Sequence, residues 1–450
     1  MSGIDTPASL YEHMVEIWGR LVGDSTFFLR EELTKKDNPK AWEKDLKSLR
    51  SPLADYLESE FSDLASANTA FNSISQRYSP LLLLAGLDRA LYSYRVTEVG
   101  SRSCYEFPFN NTLWHILFRQ QASVETVHKQ QDGHPLNYLL YHRIFKMEYS
   151  GVLINMSENC SHLNRQLREF IENEETYLRV YLGTFQDGVG PDWGGMKDKK
   201  CITSGFSDPL PCPDSDNKTK KGSMSGAKRR EMSIISCLKE ASKQKSHVVV
   251  MPELSVSPEQ RAVISRWLET NEHQFFMVVA GSFHEIDQNI NAEIPVNRAV
   301  VFDGRGWELF AHDKILAFGT SVCSEIIYPG TAITLLETPF GVFSLAICRD
   351  YLEEDQKTQL PWQDLSPDWM LVPSMSSLSG LNAHKRQTKT MANLCGTRSF
   401  IPNQCFDGTY EDNQHGFVYC DFVDKTENEQ SEKCRNITPE QRIFSIPVID

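Results

Sequence analysis

The chain has 450 residues, 40% of them hydrophobic and 24% charged, with a formal net charge of −14 at pH 7. This length suits two or three domains whose cores stand without disulfides, and the composition is that of an ordinary globular protein. The acidic balance argues against nucleic-acid binding as the main business, although a local basic patch remains compatible with it.

The most apolar short run, Leu81 to Leu84, is far too short to span a bilayer, so no membrane association is expected. The opening Met-Ser-Gly-Ile-Asp lacks the basic flank and apolar stretch of a secretory signal. With 11 cysteines and no export signal, reduced thiols and a cytoplasmic location are the expectation. No CxxC pair and no HExxH is present, so zinc is not indicated.

In chain order, the periodicity is helical up to about residue 172. Leu10, Met14, Ile17, Trp18 and Leu21 share one helical face, and Leu53, Tyr56, Leu57, Phe61 and Leu64 share another. Leu163, Leu167, Phe170 and Ile171 continue the pattern, while residues 101–111 fit no period. A mainly α-helical N-terminal domain over residues 1–172, with no chemistry of its own, is expected. His115, His128, His134, His142 and His162 are spread without metal-ligand spacing and read as structural or solvated.

From residue 176 the pattern becomes strand, helix, strand, giving a second domain over residues 176–450. Tyr177 to Leu182 alternates as a first strand. The polar stretch 187–230, with late basic residues Lys218, Lys220, Lys221, Lys228, Arg229 and Arg230, cannot bury enough apolar surface and reads as a flexible insertion. Met232, Ile235, Leu238 and Ala241 predict a helix, and His247-Val-Val-Val-Met-Pro252 a buried strand. Ser257-Pro-Glu-Gln260 reads as a helix start with a capping box. Further apolar runs at 275–280, 299–302, 342–347 and 369–372 complete a layered α/β pattern.

Three residues at strand ends carry the chemistry. Cys348 closes the run Val342 to Ile347 and is followed by Arg349 and Asp350, a setting suited to a thiol nucleophile. Glu253 ends the strand Val-Val-Val-Met-Pro, and Lys314 follows the strand-like Trp307 to Phe310. Each alone has a plainer reading: a core thiol, a solvated loop acid and a surface lysine.

Together, the order Met251-Pro252-Glu253, Asp313-Lys314 and Ile347-Cys348-Arg349-Asp350 resembles the carbon–nitrogen hydrolase family, the nitrilase superfamily. Glu253 and Lys314 stand 61 residues apart, and Lys314 and Cys348 a further 34, in keeping with that family's pattern. Asn297 to Gly304, Glu325 with Tyr328-Pro-Gly330, Asp368 to Ser374, and His384 to Arg398 resemble accompanying segments. The resemblance covers about residues 176–410 and implies a four-layer αββα sandwich. It implies Cys348 as nucleophile, Glu253 as general base and then acid, and Lys314 as oxyanion stabiliser helped by the backbone N–H of Arg349. Glu325 would hold Lys314 or the attacking water, and Asp350 would order the turn beyond the cysteine. The implied reaction is hydrolysis of an amide, carbamoyl or nitrile substrate through a thioacyl-enzyme, with no metal or cofactor; acyl transfer is compatible with it.

Arg349 departs from the aromatic residue common in relatives. Its guanidinium could recognise a substrate carboxylate or phosphate, or pair with Glu353 or Glu354. By resemblance, at least a homodimer is expected. The competing reading is a regulatory or assembly protein whose helical domain binds a protein partner and whose hydrolase domain is an effector or a scaffold.

Overall fold

The computed structural model describes residues 8–23, 39–58, 74–97, 104–109, 112–118, 139, 142–157, 177–193, 200–203, 205–207, 224–319, 324–338, 340–352, 360–404, 415–420 and 434–447. The chain divides into two compact units. One is Met1–Tyr149 with Pro361–Ser366 and Asn393–Gly396; the other is Ser150–Leu360 with Pro367–Ala392 and Thr397–Asp450.

In the first unit, α1 (Ala8–Gly23), α2 (Pro39–Glu58) and α3 (Pro80–Thr97) share one core. Met14, Ile17, Trp18 and Leu21 of α1 are buried with Leu46, Leu49 and Leu53 of α2, as a period of 3.6 requires. Leu81 to Leu84 are all buried, so α3 is apolar around its circumference at that end and packs on several sides.

The region without a period contains a three-stranded antiparallel sheet, β1 (Cys104–Phe109), β2 (Thr112–Phe118) and β3 (His142–Lys146). Beside its helices the first unit therefore carries a sheet that the expectation of a mainly α-helical domain did not include. Alternation in these strands is broken by a proline in β1 and by the apolar triplet Ile116-Leu-Phe in β2, so a period-2 count passes over them. His142 is held by Asp88, whose Oδ1 accepts from the His142 backbone N–H at 2.9 Å and lies 3.0 Å from Nδ1. His115 stacks on Phe145 with centroids 5.7 Å apart. The side chains of Leu10, Tyr56, Leu57, Phe61 and Leu64 lie outside the described residues, as do Leu163, Leu167, Phe170, Ile171, His128, His134 and His162.

The second unit runs β4 (Val152–Ser157), β5 (Tyr177–Leu182), α4 (Gly226–Lys243), β6 (Val248–Val250), α5 (Pro258–Thr270), β7 (Met277–Asp287), β8 (Asn291–Asp303) and β9 (Glu308–Asp313). It continues with β10 (Ala332–Thr338), β11 (Gly341–Leu345), β12 (Trp369–Leu371), α6 (Leu378–Cys395), β13 (Arg398–Pro402), β14 (Gly416–Tyr419), β15 (Cys434–Asn436) and β16 (Ile443–Pro447). One sheet has the order β9-β8-β7-β6-β5-β16; in the other, β15, β14, β13, β12, β11, β10 and β4 are successive neighbours. Strand β4 pairs in parallel with β10, so this unit begins at Ser150, ahead of the expected boundary at 176.

The strand period of two assigns the layers. Val180, Val250, Val279 and Val301 of the first sheet face Phe343, Leu345, Trp369 and Phe400 of the second in one core. Tyr181, Val249, Val278 and Val300 point the other way, against Ile234 and Leu238 of α4 and Ile264 and Leu268 of α5. Helix α6 joins the parallel strands β12 and β13; their inner face is already occupied, so the crossover covers the outer one. The result is the expected four-layer αββα sandwich. Trp369, stacked between Phe343 and Phe400 at 5.3 and 6.0 Å, lies at its centre. Burial of such a ring contributes on the order of 2–3 kcal/mol.

Parts of the expected flexible insertion are ordered. Helix α4 begins at Gly226 behind the N-cap Ser225, so Lys228, Arg229 and Arg230 are helical. The buried Arg230 guanidinium grips Asp187 at 2.7 and 2.9 Å, donates to the Val189 carbonyl and lies over the Phe185 ring at 4.6 Å. That bidentate pair is what anchors both ends of the stretch. Lys218, Lys220 and Lys221 lie outside the described residues. Cys201 is disulfide-bonded, contrary to the expectation of reduced thiols, whereas Cys237, Cys348, Cys395, Cys420 and Cys434 are free. Among the described residues no helix is long and apolar enough to cross a membrane.

Candidate active site

Both sheets end their parallel strands at one place, the position where open α/β sheets gather ligands. From the first sheet, β6 leads through Met251 and Pro252 to Glu253, and Leu254 turns the chain with φ +50. Strand β7 passes close behind: Gly281 has φ +62, and a Cβ there would lie 2.3 Å from the Pro252 carbonyl oxygen. Only glycine meets both conditions. Lys314 directly follows β9, its backbone N–H donating to the Asn297 carbonyl at 2.8 Å. Gly330 lies on the same loop, donating to the Lys314 carbonyl at 2.9 Å.

Glu253, Lys314 and Glu325 are 2%, 1% and 7% exposed and touch directly. Lys314 Nζ donates to Glu253 Oε1 at 2.7 Å and to Glu325 Oε2 at 2.8 Å. Asn297 Nδ2 donates to the same Glu253 oxygen at 3.1 Å and to Glu325 Oε1 at 2.9 Å. The second Glu253 oxygen accepts from the Met375 backbone N–H at 2.9 Å. Glu325 also accepts from the Phe318 backbone N–H at 2.8 Å and from His284 Nε2 at 3.0 Å. His284 Nδ1 accepts from the Thr203 backbone N–H at 2.9 Å, which places the ring proton on Nε2, facing Glu325.

These contacts separate the two carboxylates. Burial pushes Glu253 up to about 8, and the repulsion its charge would meet from an ionised Cys348 adds to that, against the pull of Lys314. Burial would raise Glu325 too, but Lys314 and His284 outweigh it and hold that carboxyl well below its usual range. Burial alone would lower the Lys314 ammonium; the charges of Glu253 and Glu325 reverse this and keep it protonated.

From the second sheet, β11 leads through Ala346 and Ile347 to Cys348, which has φ +46 and opens a short 3-10 turn over Cys348–Tyr351. A positive φ at a residue other than glycine is a strained conformation of the kind concentrated at functional sites. It is locked by the Cys348 N–H, which donates to the Pro373 carbonyl at 2.9 Å. The thiol is 6% exposed, with Ser376 Oγ 3.3 Å, Ser374 Oγ 3.7 Å and His384 Nε2 3.9 Å from Sγ.

Asp350 and Arg349 both reach the loop after Lys314. Asp350 accepts from the Ile315 and Leu316 N–H groups, at 2.7 Å for Leu316, and lies 3.0 Å from His312 Nε2. It thus ties the turn that Cys348 opens to the lysine loop. Arg349 Nη1 donates to the Ala317 carbonyl at 2.7 Å. Glu353 and Glu354 lie outside the described residues. Among the described residues, no group of three or more His, Cys, Asp or Glu side chains is placed to hold a metal ion.

Sequence reasoning did not single out His284, Asn297, Ser374, Ser376 or His384 as site residues. Asn297 and His284 lie on adjacent strands at paired positions, a signal that emerges only once the register of β7 and β8 is known.

No protein-family profile matches the chain. It is 30% identical over 128 residues, 25% of its length, to Hydrolase C26A3.11 of Schizosaccharomyces pombe. The match spans 40% of that relative. An amidase from Nesterenkonia sp. is 15% identical, with 51% of this chain and 77% of that chain covered at a TM-score of 0.35. Saccharomyces cerevisiae Nit3, of branch 10 of the nitrilase superfamily, is 15% identical, with 54% and 83% covered at a TM-score of 0.35.

Proposed function

We propose that the second unit hydrolyses non-peptide carbon–nitrogen bonds of an amide, carbamoyl or nitrile substrate, with Cys348 as nucleophile, Glu253 as base and acid, and Lys314 as the oxyanion's cation. The observation that carries this reading is a fully buried ammonium shared by two carboxylates of opposite tuning, beside a thiol on a strained turn.

For an amide, Glu253 takes the thiol proton as Cys348 Sγ bonds to the carbonyl carbon, and the carbonyl π electrons move to oxygen. Lys314 has three N–H donors; two are used on Glu253 and Glu325, which leaves one for the oxyanion. The backbone N–H of Arg349 at the head of the turn is the second proposed donor. As the carbon–nitrogen bond breaks, Glu253 returns its proton to the departing nitrogen and ammonia or an amine leaves. Glu253 then deprotonates a water that attacks the thioester, the carbon–sulfur bond breaks, and the acid product is released with the thiol restored. A base tuned to about 8 is suited to this two-way proton transfer near neutral pH. Glu325, strongly ionised, keeps Lys314 charged throughout.

The test is an electrophilic acyl probe followed by mass spectrometry, run beside an ammonia-release screen with Cys348→Ala as the blank. Labelling confined to Cys348 and lost in Glu253→Gln supports the reading. A Cys348 that reacts no faster than the other free cysteines, such as Cys237, Cys395, Cys420 and Cys434, defeats it.

A further inference from the structure

The thiol has a second polar side that the mechanism above leaves unused. Three groups converge there: Ser376 Oγ lies 3.3 Å from Sγ, Ser374 Oγ lies 2.9 Å from Ser376 Oγ, and His384 Nε2 lies 3.4 Å from Ser374 Oγ. Ser374 Oγ and His384 Nε2 also approach Sγ directly, at 3.7 and 3.9 Å, but the nearer neighbour of the Ser374 hydroxyl is Ser376, so the shorter path from imidazole to sulfur runs through both serines.

We propose that His384 is a positioning residue for the nucleophile, acting through a directional hydrogen-bond chain from His384 Nε2–H to Ser374 Oγ, from Ser374 O–H to Ser376 Oγ, and from Ser376 O–H to Cys348 Sγ. The inference rests on Cys348 being the nucleophile, and it concerns what orients the sulfur and eases the loss of its proton to Glu253.

Rigidity supports the chain. Asn403 clamps Ser376 on both sides, Oδ1 accepting from its backbone N–H at 2.7 Å and Nδ2 donating to its carbonyl at 3.1 Å. Ser374 donates its backbone N–H to Pro402 at 3.0 Å, and its carbonyl accepts from Gln404 at 2.8 Å. His384 is fully buried in α6, its ring nearly parallel to that of Tyr351 at 16° and 6.5 Å, and the Tyr351 hydroxyl lies 2.8 Å from Ser399 Oγ. Serine hydroxyls each have one proton to donate, so one chain direction is set for all three groups by the histidine at its end. With Nε2 donating, the terminal hydroxyl gives its proton to sulfur and favours the thiolate; with Nε2 accepting, the chain reverses and favours the thiol. Hydrogen bonds to ionised acceptors are the strong ones, so the sign is measurable.

The experiment is the pH dependence of Cys348 alkylation by iodoacetamide in the full-length protein, resolved by peptide mass spectrometry. The proteins are wild type, His384→Ala, His384→Gln, Ser376→Ala and the Ala/Ala double variant, with folding checked by circular dichroism. His384→Ala and Ser376→Ala each raise the alkylation midpoint by about one pH unit, an about tenfold slower reaction below it. The double variant shifts by less than the sum of the two single variants, because both break one chain. His384→Gln, which keeps an N–H donor, recovers part of the shift. An unchanged midpoint in both single variants overturns the inference, and a lowered midpoint overturns the chain's direction. Ser376→Ala, a one-atom deletion, decides the matter if His384→Ala fails to fold. Glu253→Gln in the same series keeps the two readings apart. A hyper-reactive, Glu253-dependent Cys348 with no His384 effect sinks only this inference. A Cys348 that reacts no faster than the other free cysteines in every variant sinks the hydrolase reading, and this inference with it.

Discussion

Replacing Glu325 by glutamine isolates the part of the site that does no covalent chemistry. The shape is kept and one charge is removed. In the wild type, Glu325 oxygens accept four hydrogen bonds: from Lys314 at 2.8 Å, the Phe318 N–H at 2.8 Å, Asn297 at 2.9 Å and His284 at 3.0 Å. A glutamine amide has to turn its NH2 toward one of the two pairs, so two donors meet two donors. His284 cannot become an acceptor there without giving up the Thr203 N–H on its other nitrogen. Asn297 can flip its amide only by facing Glu253 Oε1 with an oxygen in place of its donor. Two unsatisfied buried donors cost about 1–3 kcal/mol each, and breaking a buried ion pair from one side costs about 3–5 kcal/mol in total. We therefore expect Glu325→Gln to lose about 3–5 kcal/mol of stability at neutral pH, read by urea unfolding with tryptophan fluorescence.

The same substitution has a signed effect on the chemistry. The Glu325 charge helps to push Glu253 up to about 8, so its removal lowers Glu253 and moves the ascending limb of the Cys348 alkylation profile to lower pH. Stability should respond to pH in a matching way. Glu325 is held below its unfolded value, so the unfolded chain binds the proton first; the contribution is full above about 4.5 and is lost as pH falls below it. The stability gap between wild type and variant should therefore narrow toward pH 3. Equal urea midpoints at pH 7, together with an unmoved alkylation limb, would refute the reasoning.

Three further outcomes follow from the geometry. Glu253 is raised from 4.5 to about 8, so the folded state holds a proton the unfolded state has lost, and stability falls as pH rises across that window; Glu253→Gln should show a smaller drop in melting temperature between pH 5 and pH 9 while losing Cys348 acylation. Gly281→Ala sets a Cβ 2.3 Å from the Pro252 oxygen at φ +62, so it should cost about 1–3 kcal/mol and slow Cys348 acylation, measured by thermal melting and probe labelling. Asp350→Asn loses a charged acceptor for the Ile315 and Leu316 N–H groups, and hydrogen exchange of these two amides should rise by about tenfold or more with little change in the core strands.

What was legible in the sequence is what strand ends write locally. A short apolar run closed by Pro-Glu or by Cys-Arg-Asp signals the strand, and the ordered resemblance across Glu253, Lys314 and Cys348 is what singles out the side chains at the strand ends. Their supports could not be read this way. Asn297 and His284 are polar residues inside strands, and the β-bulge between Val279 and Ser282 resets which face each residue of β7 takes. Counting by twos from Met277 therefore misassigns His284. The first unit's sheet was missed for a related reason, since β1 and β2 lack clean alternation. Arg230 was misread because a basic run reads as solvated unless its carboxylate partner is known, and Asp187 lies 43 residues away in sequence.

The buried charges themselves bear on whether the site is used. Desolvation takes several kcal/mol from each ion, and apolar residues of equal volume are often as stable or more so. Lys314 between Glu253 and Glu325 is therefore a weak means of holding the fold together. The arrangement also leaves Glu253 far above its ordinary range, a state that lowers stability at neutral pH. Two backbone residues, Leu254 and Cys348, carry positive φ at the ends of the strands that deliver the acid and the thiol. Strain and misplaced ionisation at the same few residues are costs that packing does not require, and a base near neutrality beside a fixed ammonium is what an attack by a thiol needs. That coincidence at the joined ends of the two sheets favours a working hydrolase site over an inert scaffold.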